Sequence, residues 1–376
     1  MARRRIGIVG ASGNQGQAFI KWLRHIPDAG TVTALCETRR EKLDEAVADA
    51  GAAGYSDLDR MLAEADIDTV IIGTPDSLHA GQTIASARAG KAVLCEKPLG
   101  MTVDEAEAML VAVRDAEVGH AIHLQHRSVP CMASLKDRLD RGELGELVAV
   151  NARISVPLPD AMPLTWRQQR GGSAGGALAD CGSHVVDLAN WLFGGMPERV
   201  VAFNGIAVAK RPVPDHDMDL IEAWGWAVQH KEAAAKAAGL VETPDHTQLM
   251  LVYAGNRLAS IRIDEAETLA RIGPYIVVEA HGRKATALCR IDWGLPGLGD
   301  LAVYAEQGKA PEQVSFPETD MNTWMGGVMR EALAAMDARA KGMTHAFPGF
   351  GDGVNVQRVI EAGRRSAADC AWVCPS

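Results

Sequence analysis

The sequence predicts an α/β chain in two parts: a doubly wound parallel sheet, then an α+β domain with a mainly antiparallel sheet. Three observations predict it. Up to about residue 126, short apolar runs alternate with amphipathic stretches, the rhythm of repeated βα units. A glycine-rich turn, Gly10-Ala11-Ser12-Gly13-Asn14-Gln15-Gly16, follows the first apolar run at once. From about residue 127 the segments become strand-like and are joined by turn signals such as Ala254-Gly255-Asn256. The domains are read as 1–126 and 127–376, with a last helix near 351–370 packing back on the first. Two domains suit a chain of 376 residues, longer than one core usually serves.

Arg5-Ile6-Gly7-Ile8-Val9 is the first strand. Glycines at 10, 13 and 16 let the backbone approach a pyrophosphate, and the amino end of the next helix (17–25, with Phe19, Ile20 and Leu23 on one side) faces its charge. The GxxGxxG spacing is one residue wider than the dinucleotide fingerprint GxGxxG and is weak alone. The second strand, 32–36, ends at Glu37, about 20 residues past the last glycine. An acid there accepts both hydroxyls of an adenosine ribose and repels a 2′-phosphate, which favours NAD. Arg39 beside it suits that phosphate, so NADP is the alternative. The bland reading of Arg39-Arg40-Glu41-Lys42 is a solvated first helical turn.

Helices are expected over 39–50 and 58–65, then a strand Thr69–Ile72 ending in Gly73-Thr74-Pro75-Asp76, then a helix over 77–89 that carries His79. The run Ala92–Cys95 stops at Glu96-Lys97-Pro98 and reads as a buried parallel strand. Ligands bind outside the carboxyl ends of such strands, so Lys97 points into the crevice. A helix over 102–115, with Thr102 as cap and Glu105 three residues on, and a strand over 121–125 complete the set. Gly10, Glu37, Thr74, Lys97 and His126 are thereby placed at carboxyl ends of successive strands. The cofactor-binding set read from this edge is Gly10, Ser12, Gly13, Asn14, Gln15, Glu37, Arg39, Thr74, Pro75, His79, Glu96 and Lys97.

The second part is read as a helix over 129–141, a strand over 148–156, and a loop rich in proline, tryptophan and glycine over 157–176. Strands follow over 199–207, 247–253, 258–263, 275–281 and 285–289, with a helical insert over 222–239. Between them, Val185, Leu188, Ala189 and Leu192 recur at i, i+3, i+4, i+7 as the buried stripe of a helix. Asp180, His184 and Asp187, at i, i+4, i+7, are able to meet on another surface of it. A histidine with a carboxylate one turn away suits a general base. The bland alternative makes Asp180 or Ser183 a cap and His184 a satisfied core histidine. One histidine and two acids lack a third metal anchor, so no metal is expected and a nicotinamide is left as the hydride partner.

Bulk numbers narrow the partners. With 47% hydrophobic and 23% charged residues the composition is that of a globular protein. A net charge of -10 argues against nucleic acid or an anionic membrane as the main partner. No apolar run approaches the roughly 20 residues a span requires. The basic start is followed by only Ile6 to Val9 before glycines intervene, too short for a signal-peptide core. Seven cysteines without a CxxC pair suggest free thiols and a cytoplasmic location.

With Gly10-x-x-Gly13-x-x-Gly16, Glu96-Lys97-Pro98 and Asp180-x-Gly182-x-His184-x-x-Asp187 together, the chain resembles the glucose–fructose oxidoreductase/inositol dehydrogenase/MocA (Gfo/Idh/MocA) family over nearly its whole length. The resemblance implies an amino-terminal Rossmann domain and a carboxyl-terminal domain with a large open sheet. It implies that Lys97 and His184 act on a substrate hydroxyl with Asp180 beside them, and that Pro98 follows a cis peptide bond. Gln125-His126-Arg127 keeps the arginine of the family pattern and departs at His126. The substrate set is therefore read as Lys97, His126, Arg127, Trp166, Arg167, Asp180 and His184. The expected activity is NAD(P)-dependent hydride transfer between nicotinamide and a secondary alcohol of a sugar, sugar derivative or cyclitol. The alternatives are NAD-assisted glycoside cleavage or epimerisation without net redox change, and a non-catalytic dinucleotide sensor. A homodimer or homotetramer through the carboxyl-terminal sheet is expected.

Overall fold

The structure, a computed structural model, describes residues 3–236, 238–267, 269, 275–292 and 296–375. It divides into two compact units, Met1–Leu124 with Met321–Val354, and Gln125–Asp320 with Asn355–Ser376.

The first unit alternates strand and helix: β1 Arg4–Val9, α1 Asn14–Leu23, β2 Gly30–Cys36, α2 Arg40–Ala50, β3 Ala53–Tyr55, α3 Leu58–Glu64, β4 Thr69–Ile72, α4 His79–Arg88, β5 Ala92–Cys95, α5 Val103–Asp115 and β6 His120–Ile122. Its six strands are all parallel in the order β3-β2-β1-β4-β5-β6. The order reverses direction between β1 and β4, and open sheets bind ligands at such a switch point. Apolar runs without alternation explain β4 and β5, which are buried along their full length. Thr102 caps α5 by accepting from the Glu105 amide at 3.2 Å, as its spacing predicts.

Three expectations need correction here. Helix α1 begins at Asn14, with extended Gly13 as its N-cap, three residues earlier than expected. The last strand stops at Ile122, because β5 offers β6 only Val93 to Cys95 as partners. The chain then enters a 3-10 turn, Gln125–Ser128, so His126 does not stand at a strand end and belongs to the second unit. The last helix, expected to pack back on the first domain, lies from residue 355 onward in the second unit, and it is residues 321–354, announced by no local signal, that return to the first. Their helix, Met321–Arg339, packs on α1 and β6. A Cβ at Gly119 would lie 2.3 Å from the Met336 carbonyl oxygen, so only glycine admits that helix.

The second unit carries α6 Pro130–Asp140, β7 Leu147–Leu158, α7 Ala177–Asp180, α8 Gly182–Phe193, β8 Arg199–Gly205, β9 Lys210–Arg211, α9 Leu220–Gln229, β10 Gly239–Leu240, β11 His246–Tyr253, β12 Arg257–Ala266, β13 Tyr275–Gly282, β14 Thr286–Asp292, β15 Gly299–Tyr304 and β16 Glu312–Val314. Eight strands form one sheet in the order β16-β15-β14-β13-β7-β12-β11-β8. Among the described residues, only β7 and β12 pair in parallel, so the sheet is mixed and mostly antiparallel. Alternation buries Leu249, Ile261 and Ile154 on one face, against which α8 packs. The insert folds as α9, capped by Asp219, on a cluster of Leu158, Met162, Met218, Ala223 and Ala227. Ala237 at its end lies outside the described residues. Among the described residues, no helix is long and apolar enough to cross a membrane.

Candidate active site

The carboxyl edge of the parallel sheet is built for close backbone approach. Gly10 has φ +76°, and a Cβ there would lie 2.9 Å from Thr74 Cγ2. A Cβ on Gly16 would lie 2.2 Å from the Gly10 carbonyl oxygen, so the turn closes onto the first turn of α1. That turn has no side-chain cap, which leaves its amides as donors. Nearby, Gln15 Oε1 is buried with no hydrogen-bond partner.

Glu37, at the end of β2, is 7% exposed. Its carboxylate accepts from Ser12 Oγ, from Arg39 Nε at 3.2 Å and from the Arg39 amide at 3.1 Å. Burial raises its pKa, but the Ser12 and Arg39 hydrogen bonds outweigh that and hold it below the usual carboxylate range. A glycine cradle, an orphaned amide oxygen and a buried charged acid fit an adenine dinucleotide.

At the end of β5, Glu96 is buried and accepts from His123 Nδ1 at 2.5 Å and from the Lys97 amide at 3.1 Å. Burial again opposes its charge, and the charge and hydrogen bond of His123 together with Lys97 lower its pKa overall. The backbone of Lys97 is thereby fixed by its own neighbour. The Lys97–Pro98 peptide is cis, as the family resemblance implies. Thr74 Oγ1 donates to Gln82 Oε1 at 2.6 Å. Pro75 leads the 3-10 turn Asp76–Leu78, and the His79 ring is bonded to two main-chain carbonyls. His123 was missed by sequence reasoning; a second histidine three residues before His126 was the available signal.

In the second unit, Asp180, His184 and Asp187 lie on two consecutive helical pieces. The helical hydrogen-bond ladder is interrupted at Cys181, whose φ of -84° and ψ of -35° stay helical, so Asp180 closes α7 while His184 and Asp187 ride α8. Asp180 accepts from Arg167 Nε at 3.0 Å. The Arg167 guanidinium lies 4.3 Å over the Trp166 ring, on a 3-10 turn held by a Thr165–Gln168 capping box. Asp187 is 2% exposed and takes a two-point ion pair from Arg127, through Nε at 2.8 Å and through Nη2. A lone buried charge costs about 3–5 kcal/mol, so each of these groups spends its charge on the other. His184 is 7% exposed and meets the His126 ring edge-on, centroids 4.2 Å apart. Val185, Leu188, Ala189 and Leu192 are buried, but so is nearly every other residue of α8, so the helix is enclosed on all sides instead of along one stripe.

A dinucleotide-binding unit of parallel βα repeats, followed by a unit with a histidine-bearing helix on a mixed sheet, defines a two-domain oxidoreductase. Residues 4–122 match the family model of the oxidoreductase family with an NAD-binding Rossmann fold, and residues 132–288 match the GFO/IDH/MocA C-terminal domain. The chain belongs to this family. A levoglucosan dehydrogenase of Pseudarthrobacter phenanthrenivorans is 27% identical over 332 residues, 85% of this chain and 82% of its own length. An inositol 2-dehydrogenase of Rhizobium meliloti is 31% identical over 206 residues, 55% of this chain and 60% of its own. A solved levoglucosan dehydrogenase, in complex with NADH and levoglucosan, has a TM-score of 0.81 at 25% identity over 99% of each chain.

Proposed function

We propose that this protein transfers hydride between NAD and a secondary alcohol of a sugar, sugar derivative or cyclitol, in either direction. The observation that carries the proposal is Lys97: an amine whose backbone a buried acid fixes, on the same strand edge as the glycine cradle and Glu37. The kinship with dehydrogenases of levoglucosan and inositol supports the substrate class.

The first unit, with Ser12, Asn14, Gln15, Glu37, Arg39, Thr74 and Pro75, holds the dinucleotide; the second carries the substrate groups. Bound NAD supplies the hydride acceptor. His184 takes the hydroxyl proton on an imidazole nitrogen, and the Lys97 ammonium offsets negative charge growing on the oxygen. Asp180 completes the set through Arg167, whose guanidinium it holds over Trp166 as a flat, cationic face for the sugar. His126 edges the His184 ring, and Arg127 braces α8 through Asp187. Seven free cysteines support a reducing, cytoplasmic setting.

A screen at the NADH absorbance band with levoglucosan, inositols and aldoses tests the reaction. Expected is NADH formed in step with product. Product without NADH would mean cleavage or epimerisation instead, and binding without turnover would mean a sensor. Lys97→Ala is expected to keep NAD binding and to lower kcat/KM by about 100- to 1,000-fold, the loss typical of one oxyanion donor. An unchanged rate removes Lys97 from the mechanism.

A further inference from the structure

We propose that His79 is a positioning residue, held as an imidazolium, that ties the ends of β4 and β5 together and so sets the backbone that carries Lys97. His79 Nδ1 lies 2.8 Å from the Pro98 carbonyl oxygen and Nε2 lies 2.9 Å from the Thr74 carbonyl oxygen. A carbonyl oxygen only accepts, so both ring nitrogens must donate. A neutral imidazole carries one N–H and cannot do this; the protonated ring carries two. The ring is fully buried, so no water stands in for either partner.

The place is an unusual one for a cation. His79 is the first residue of α4, where the helix dipole disfavours positive charge. The charge is therefore there for the two carbonyls, not for the helix. The titratable groups facing the ring are Asp76, buried on the turn just before it, and Cys95 at the end of β5. Burial works against protonation, yet Cys95, Asp76 and the Pro98 carbonyl outweigh it and raise the ring's pKa to about 10. Thr74 follows β4 and Pro98 follows β5, strands that are neighbours in the sheet, so one side chain spans both loops. With both nitrogens engaged, the ring serves the cofactor edge through the main chain it holds. A clamp of charge-assisted bonds on both sides of the ring is stiffer than any neutral side chain of that size supplies.

The catalytic consequence rests on the role proposed for Lys97; the protonation state does not. In protein labelled with 15N-histidine, one ring is expected to keep both nitrogens protonated at pH 8, where an ordinary histidine is neutral, and to vanish from the spectrum of His79→Gln. A His79 ring with one bare nitrogen at pH 8 overturns the proposal, and this is read on the native protein whether or not the variant folds. In folded His79→Gln, kcat should fall about tenfold to a hundredfold, the cost of a small misplacement, with the Kd for NAD within about threefold. Unchanged kcat removes the positioning role. If Lys97→Ala is also inert, the failure lies with Lys97, and the two-nitrogen signature still decides His79.

Discussion

Glu37 shows how much one buried carboxylate settles. Ser12 and Arg39 surround it with donors, so it stays ionised at neutral pH despite burial. Ionised, it has the chemistry to accept ribose hydroxyls and to repel a 2′-phosphate; Arg39, which the sequence left open as an NADP contact, is bonded to the acid itself. Glu37→Ala should weaken NAD by about tenfold or more and relax the discrimination against NADP, since one lost charge-assisted bond is worth over 1.4 kcal/mol. Isothermal titration with both dinucleotides measures this, and an unaltered preference would count against the cofactor assignment. The acid and its distance from the glycines were legible in sequence. Its bond to Ser12, 25 positions away, was not, because spacing says nothing about how a turn folds back on a strand.

Elements were legible where their periodicity is local, and less so where a partner sets their ends. Strand β6 is the example: it is short, lies at the sheet edge, and is finished by residues more than 200 positions later. The His120 ring accepts from the Phe350 amide at 3.2 Å, and Arg339 Nη1 donates to the His120 carbonyl oxygen at 3.0 Å. Burial first, then Arg339 and Arg114, lower the His120 pKa to about 4. The folded state thus prefers the neutral ring. That preference is fully present above the unfolded pKa near 6.5 and is lost as pH falls from there through about 4, a loss of up to about 3 kcal/mol. Denaturant melts of wild type and His120→Asn between pH 7 and 4 should show the variant with the shallower acid slope. Equal slopes would mean that another group governs the acid limb. The same lesson applies to α7 and α8: a continuous helical pattern predicted one helix, and its hydrogen-bond ladder is interrupted at Cys181 although the backbone there stays helical, while Arg167, 13 positions away, reaches Asp180.

At the scale of the whole molecule, the expected homodimer or homotetramer is tested on the exposed face of the eight-stranded sheet. On adjacent strands β8, β11 and β12, Phe203, Met250 and Leu258 are 63%, 48% and 43% exposed. The register puts all three on one face, since Phe203 pairs with Gln248, Met250 with Ser260, and Leu258 with Val252. Apolar side chains gathered on one exposed face are what a contact surface requires. Phe203→Glu combined with Met250→Glu should reduce the mass seen by light scattering to that of one chain, 40.0 kDa, with the fold kept by circular dichroism. A wild-type protein that already has that mass would dispose of the homodimer and homotetramer alike.

The order of residues by itself determined the parallel half of the molecule, its dinucleotide turn, the acid at 37 and the lysine at 97. Each is written in neighbours a few positions apart: an apolar run, a breaker, a glycine where a Cβ would collide. Only the tertiary structure decided which charge meets which. Arg127 with Asp187, Arg167 with Asp180, Glu96 with His123 and the His79 ring with two carbonyls join positions 5 to 60 residues apart. Buried polar groups must find partners wherever packing brings them, and packing is a property of the folded chain, not of the spacing along it.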